Sequence, residues 1–154
     1  MNGRDAVRRV ALGADHSCVA QRELLRTWLE TVGYKVVVAG EGERPDYADA
    51  ALAVCRKVAG GDCERGILLD VSGVGSSIAA NKIMGIRAAL AWDLRSAIDS
   101  RERNNANVLA LGGAHHGLDE LCAIARAWLE ARFDAPRHAA GANRITAIER
   151  GGFR

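Results

Sequence analysis

The chain has 154 residues, the length of one domain, and its 49% hydrophobic and 26% charged residues describe a globular protein rather than a disordered one. A net charge of +2 is too small to imply a nucleic-acid or anionic-membrane partner. No run approaches the ~20 apolar residues of a membrane span, and the charged segment from Met1 to Arg9 has no apolar signal core, so a cytoplasmic protein is expected.

Val7 to Gly13 is a short β-prone run ending in glycine. Cys18 to Thr31 then places Val19, Leu24, Leu25, Trp28 and Leu29 at helical spacing, and Gly33 is positioned to end that helix. Tyr34 to Ala39 is a β-branched strand. Gly40 to Pro45 is a turn, and Asp46 to Ala59 a second helix closed by Gly60-Gly61. Gly66 to Asp70 is a wholly apolar run with an acid at its carboxyl end, as expected of a strand buried on both faces. Ser76 to Lys82 opens a helix, Ile86 to Trp92 forms a strand, and Leu94 to Asn104 a helix. Asn107 to Leu111 is the fifth strand and Leu118 to Arg132 an amphipathic helix. Pro136 to Gly141 is expected as a loop and Ala142 to Arg150 as the last helix.

This alternation predicts a single α/β domain over residues 1–154. It is a doubly wound, Rossmann-like, five-stranded parallel sheet with helices on both faces and an extra C-terminal helix. In such sheets ligands bind beyond the carboxyl ends of the strands, at the switch point of the topology. Three polar clusters fall there: Asp15-His16, Asp70 to Gly75, and Gly112 to His116.

The stretch Ser72-Gly73-Val74-Gly75-Ser76-Ser77 joins a buried strand to a helix, where glycines admit a ligand close to the backbone. It lacks the G-K-[ST] ending of a phosphate-binding nucleotide loop. It also lacks the third glycine of a dinucleotide fingerprint, since Ile78 stands there, although Asp93 lies at the distance of a ribose-binding acid. A tight turn without a ligand is the plainer alternative. Asp15 either caps the next helix or joins His16 in a site. Arg137-His138 is either an anion clamp or surface charge. His115-His116 has no acid or cysteine at ligand spacing, so no metal is expected there. Cys18, Cys55, Cys63 and Cys122 form no C-x-x-C pair and are expected as buried, reduced thiols.

Taken together, Gly13-Ala14-Asp15-His16, Asp46-Tyr47, Ser72-Gly73-Val74-Gly75, Ala79-Ala80-Asn81-Lys82, Gly85-Ile86-Arg87, Asn104-Asn105-Ala106-Asn107, Arg137-His138 and Ile145 to Glu149 give the chain a recognisable pattern. From about Val10 to Glu149 it resembles the type B ribose-5-phosphate isomerases and the galactose-6-phosphate isomerases of the lactose pathway. The resemblance implies cofactor-independent aldose–ketose isomerisation of a sugar or sugar phosphate through an enediolate. It also implies a homodimer or homotetramer with active sites shared between subunits. On that likeness Asp70, Ser72 and Arg103 are the catalytic candidates. Asp15, His16, Tyr47, Gly73, Gly75, Asn104, Arg137 and His138 are the substrate-binding candidates.

The departures from the family pattern gather at the site. Asp70 and Ser76 stand where family members carry a cysteine or a glutamate as base. Arg103 replaces the ring-opening histidine, and Ala114 and Gly141 replace two arginines of the phosphate cluster. Arg144 is a candidate substitute, and an Arg103–Asp70 ion pair across the pocket is a further option. One subunit type of galactose-6-phosphate isomerase also carries aspartate at the position of Asp70. The alternative expectation is therefore a non-catalytic sugar-binding or structural subunit of a hetero-oligomer. An epimerisation, or another enolisation on the same scaffold, is also open.

Overall fold

The computed structural model describes residues 9–152. Five strands, β1 (Arg9–Ala14), β2 (Lys35–Val38), β3 (Arg65–Asp70), β4 (Ala88–Leu90) and β5 (Val108–Gly112), form one parallel sheet in the order β2-β1-β3-β5-β4. Val7 and Arg8 of the expected first strand lie outside the described residues. Helices α1 (Val19–Thr31), α2 (Tyr47–Ala59), α3 (Val74–Ala80), α4 (Leu94–Glu102), α5 (Leu118–Glu130) and α6 (Ala135–Glu149) follow the strands, with a short 3-10 turn at His16–Cys18. No helix among the described residues is long and apolar enough to cross a membrane.

Alternation along each strand divides the apolar side chains between two layers. Val10, Leu12, Ile67, Leu69, Leu109 and Leu111 pack with Leu25 and Leu29 of α1 and with Leu121, Ile124 and Trp128 of α5. On the opposite face Ala11, Leu68 and Val108 pack with Ala50, Ala51, Val54 and Cys55 of α2 and Ala80 of α3. The central strands β1, β3 and β5 are buried on both sides, and this explains why β3 reads as a continuous apolar run. All four cysteines are buried and unbridged.

The segment expected as a loop, Pro136 to Gly141, is instead the first half of α6. Proline needs no hydrogen-bond partner in the first helical turn, and its fixed φ suits that position, so Pro136 begins a helix rather than breaking one. Arg137 and His138 accordingly sit in the first turn of α6.

Parallel connectivity fixes which residues reach which edge of the sheet. Segments that follow a strand lie at its carboxyl edge, and segments that follow a helix lie at the amino edge. Asp70 pairs with Gly112 and Ala14 with Leu69, so β1, β3 and β5 end together. At the other edge, Arg87 before β4 donates from its backbone N–H to Asn107 Oδ1 at 2.8 Å. The Asp134 N–H, before α6, donates to the Glu102 carbonyl at the end of α4, at 3.0 Å.

Candidate active site

At the carboxyl edge the β3–α3 loop is organised around the Asp70 carboxylate. Oδ1 accepts from the backbone N–H groups of Ser72 (2.8 Å) and Gly73 (2.5 Å), and Oδ2 accepts from Ser76 N–H at 2.8 Å. Asp70 is 6% exposed. Burial by itself raises the pKa of the carboxyl. The Ser76 hydroxyl beside it and the N–H groups of Ser76, Gly73 and Ser72 outweigh that and hold it below its ordinary value. Ser76 Oγ is fully buried beside the carboxylate without the alignment of a formed hydrogen bond, and the three N–H groups are the donors that hold it.

Two glycines make the loop possible. Gly73 has φ +77°, and a Cβ there would meet Leu90 Cδ1 at 2.6 Å and the Leu111 carbonyl carbon at 2.9 Å. A Cβ on Gly75 would strike the Tyr47 ring at 2.9 Å, so the bare Cα lets that ring lie against the first turn of α3. The Ser72 hydroxyl accepts from Val74 N–H at 3.2 Å. Most of the loop's donors are thus turned inward, and the Gly75 N–H takes no partner among the described residues.

The other carboxyl-edge candidates stand around this loop. Asp15 does cap the 3-10 turn, accepting from Ser17 N–H at 2.8 Å and Ser17 Oγ at 2.6 Å. His16 Nδ1 donates to the Pro45 carbonyl at 3.3 Å, and Nε2 accepts from Arg44 at 3.4 Å. These contacts draw the β1–α1 and β2–α2 connections together and bring Tyr47, 45% exposed, over the loop. Cys18 lies beneath: its Sγ would be 2.8 Å from a Cβ on Gly113, and burial pushes its thiol pKa up.

The remaining candidates are not at this edge. Arg103, Asn104, Arg137 and His138 all follow helices or begin α6, and they lie at the amino edge. β3 alone separates the two edges by about 20 Å. The Arg103–Asp70 ion pair is therefore absent within one chain. Arg103 Nε instead lies 3.6 Å from Asp99 Oδ1, one turn back on α4, and Asp70 is satisfied by its own loop. Arg103, Arg137 and His138 line a cavity of about 350 Å³ with Glu102, Arg132 and Asp134. Asn104 lines a neighbouring hollow with Asn81, Arg87 and Ile145. Arg132 was missed by the sequence reading, and Arg144 is not among the residues of this cavity. The signal for Arg132 was positional: as the residue just past α5, it had to emerge at the edge where α4 ends.

The pattern of residues from 10 to 147 matches the Ribose/Galactose Isomerase family. The chain is 40% identical over 146 residues to the ribose-5-phosphate isomerase B of Escherichia coli K12, covering 93% of this chain and 97% of that protein. It is 38% identical over 128 residues to the D-erythrulose-4-phosphate isomerase of Pectobacterium atrosepticum, covering 81% of this chain and 84% of that one. The solved ribose-5-phosphate isomerase B of Clostridium thermocellum superposes with a TM-score of 0.89 at 40% identity, over 93% of this chain and 98% of the other. This chain belongs to the ribose/galactose isomerase family.

Proposed function

We propose that this protein is an aldose–ketose isomerase acting on a sugar phosphate through an enediolate, in the cytoplasm and without a cofactor. The observation that carries this is the juxtaposition at the switch point of the sheet. There the Ser72–Gly75 loop, Tyr47 and the Asp15-His16 pair converge on one edge. Ser72 carries the hydroxyl that moves a proton between the two substrate oxygens. The Gly75 N–H, with Gly73 shaping the turn, faces the developing oxyanion. Asp15, His16 and Tyr47 hold sugar hydroxyls. The four unbridged thiols suit a reducing compartment.

Asp70 occupies the expected base position. Three N–H donors hold its carboxyl below the ordinary range, and a carboxylate made less basic is a poor proton acceptor. We assign Asp70 chiefly to holding the loop. Arg103, Arg132 and Arg137, with His138, outnumber Glu102 and Asp134 in a cavity suited to a phosphate, and relatives named for ribose 5-phosphate and erythrulose 4-phosphate support that choice. Arg103 serves there as an anion ligand, because a guanidinium does not exchange protons near neutral pH. The half-sites lie at opposite edges of one chain, so we assign the working enzyme to a homodimer in which each site takes one edge from each copy. Val71 in the loop before α3, Val74 and Ile78 on α3, and Ile145 and Ile148 on α6 are exposed apolar residues available for such a contact.

The test is deuterium exchange in D₂O at the carbon beside the carbonyl, across pentoses, hexoses and their phosphates. Exchange with one phosphate supports an isomerase. Thermal stabilisation by a sugar phosphate without exchange supports the non-catalytic subunit, the reading that the weakened Asp70 base favours. For the shared site, a carboxyl-edge variant (Ser72→Ala) and an amino-edge variant (Arg137→Ala) are unfolded together and refolded. Half the dimers are then mixed and each holds one intact site, giving about a quarter of the parent rate. No recovery above either variant alone overturns the shared site.

A further inference from the structure

We infer that His115, which no comparison or motif assigns, is the base that moves the substrate's carbon-bound proton. This inference rests on the isomerase reading above. The chemistry needs a side chain at the carboxyl edge with an uncommitted lone pair and a protonation equilibrium suited to neutral pH. The acids that follow β1, β3 and β4 are committed: Asp15 to Ser17, Asp70 to three N–H donors, and Asp93 to the cap of α4, where it accepts from Ser96 N–H at 2.7 Å. Cys18 is 1% exposed, with its thiol pKa raised by burial.

Imidazole is the side chain whose ordinary range fits the task, and the chain has four. His16 uses both ring nitrogens, on Pro45 and Arg44. His116 is shut off from substrate: only 7% of its side chain is exposed, and both ring nitrogens are buried without an aligned hydrogen bond, although Nδ1 lies 2.9 Å from Glu120 Oε2. His138 is at the amino edge. That leaves His115, exposed, with neither ring nitrogen hydrogen-bonded to another described residue.

Its position is built rather than incidental. The β5–α5 turn is fastened to the site loop: Gly113 N–H donates to the Asp70 carbonyl at 2.7 Å, and Ala114 N–H to the Val71 carbonyl at 3.2 Å. Within the turn His115 N–H donates to the Gly112 carbonyl at 3.1 Å, folding the side chain back over Gly112. The point where a Cβ of Gly112 would stand is 3.3 Å from His115 Cδ2 and 3.0 Å from the Ser72 carbonyl oxygen. The ring therefore sits beside the residue that carries the proposed proton-shuttling hydroxyl. Trp92, at the end of β4, supports it with ring centroids 5.2 Å apart and a tilt of 54°.

The step balances without a co-reactant. Neutral His115 takes the proton from the carbon next to the carbonyl. The C–H electron pair becomes the C=C bond of the enediolate, and the carbonyl π pair moves onto oxygen. The Ser72 hydroxyl passes the proton of the second oxygen to the first, and the imidazolium returns its proton to the first carbon as the new carbonyl forms on the second.

The experiment is deuterium exchange into ribose 5-phosphate and the other sugar phosphates, by the intact protein and by His115→Gln, with and without added imidazole. The expected result is exchange by the parent, a loss of about 10²- to 10⁴-fold in the variant, an unchanged melting temperature, and partial recovery with imidazole. Parent exchange that survives in His115→Gln within a few-fold overturns the assignment and leaves the isomerase reading standing. A loss that imidazole does not repair also overturns it, since that is the mark of a structural role. A parent that exchanges no sugar overturns both.

Discussion

Replacing Asp70 with asparagine separates two roles that the sequence alone confounds, base and loop anchor. The native carboxylate takes three backbone donors at 2.5–2.8 Å in a site where the residue is 6% exposed. Asparagine keeps one acceptor oxygen but turns an NH₂ group toward N–H donors, so at least one bond is lost and the rest lose their charge assistance. At about 1.5–3 kcal/mol for a hydrogen bond to a charged group, Asp70→Asn is expected to destabilise the fold by about 2–4 kcal/mol. For a chain of this length that lowers Tm by roughly 5–15 °C. The pH dependence carries the same signature. Because folding depresses the carboxyl's pKa, its stabilisation is complete above the unfolded value of about 3.9 and is lost as pH falls through the lower, folded one. Urea unfolding from pH 7 down to pH 2 is therefore expected to show a declining component in the parent that is missing in Asp70→Asn. A variant within about 0.5 kcal/mol of the parent that nevertheless loses all deuterium exchange would refute the anchor role and restore Asp70 as the base.

Two further outcomes follow from the same geometry. Gly73→Ala combines a left-handed backbone, worth about 1–2 kcal/mol, with overpacking against Leu90 and Leu111, worth about 1–3 kcal/mol. A loss of about 2–5 kcal/mol in urea unfolding is expected, and a loss under about 0.5 kcal/mol would show that the loop gives way freely. Arg132 has no hydrogen bond or ion pair among the described residues, so Arg132→Ala should leave unliganded stability within about 0.5 kcal/mol. Binding of ribose 5-phosphate, read by calorimetry, should weaken roughly 10- to 100-fold, the equivalent of one charge-assisted contact. Binding of ribose should not change, and equal affinity of parent and variant for the phosphate ester would remove Arg132 from the anion site.

The element order was legible because hydrophobic period and glycine punctuation agree nearly everywhere. β3 and β5 are continuous apolar runs, and α1, α2 and α5 show one apolar face each. The exception is the start of α6, where Pro136 and Gly141 suggest a loop. A proline in the first turn is compatible with a helix, and a single interior glycine costs only about 1 kcal/mol. At the site, the sequence identified the Ser72–Gly75 loop and its neighbours but not the internal use of its donors. Whether an N–H faces a ligand or an adjacent carboxylate depends on φ and ψ over four residues, and Gly73 alone announces one of those angles. His115 was weighed only as a metal ligand, because its approach to Ser72 depends on how the β5–α5 turn folds back.

The placement of Arg103 was within reach of the sequence. In a parallel sheet every helix returns the chain to the amino edge, so a residue just past a helix cannot meet one just past a strand of the same chain. Arg103 follows α4 and Asp70 ends β3. The same rule gathers Arg132, Arg137 and His138 beside Arg103, because α5 delivers the chain there and α6 begins there. A site that needs both the enediolate loop and the cationic cavity is then incomplete in one copy. The family's replaced arginines also read differently in that light. Ala114 lies at the carboxyl edge, on the turn that carries His115, whereas Arg103 and Arg132 lie at the other edge. Gly141 lies on α6, so one replaced position falls on each side, and the arginines that line the cavity, Arg103, Arg132 and Arg137, all lie on the side a second copy would supply.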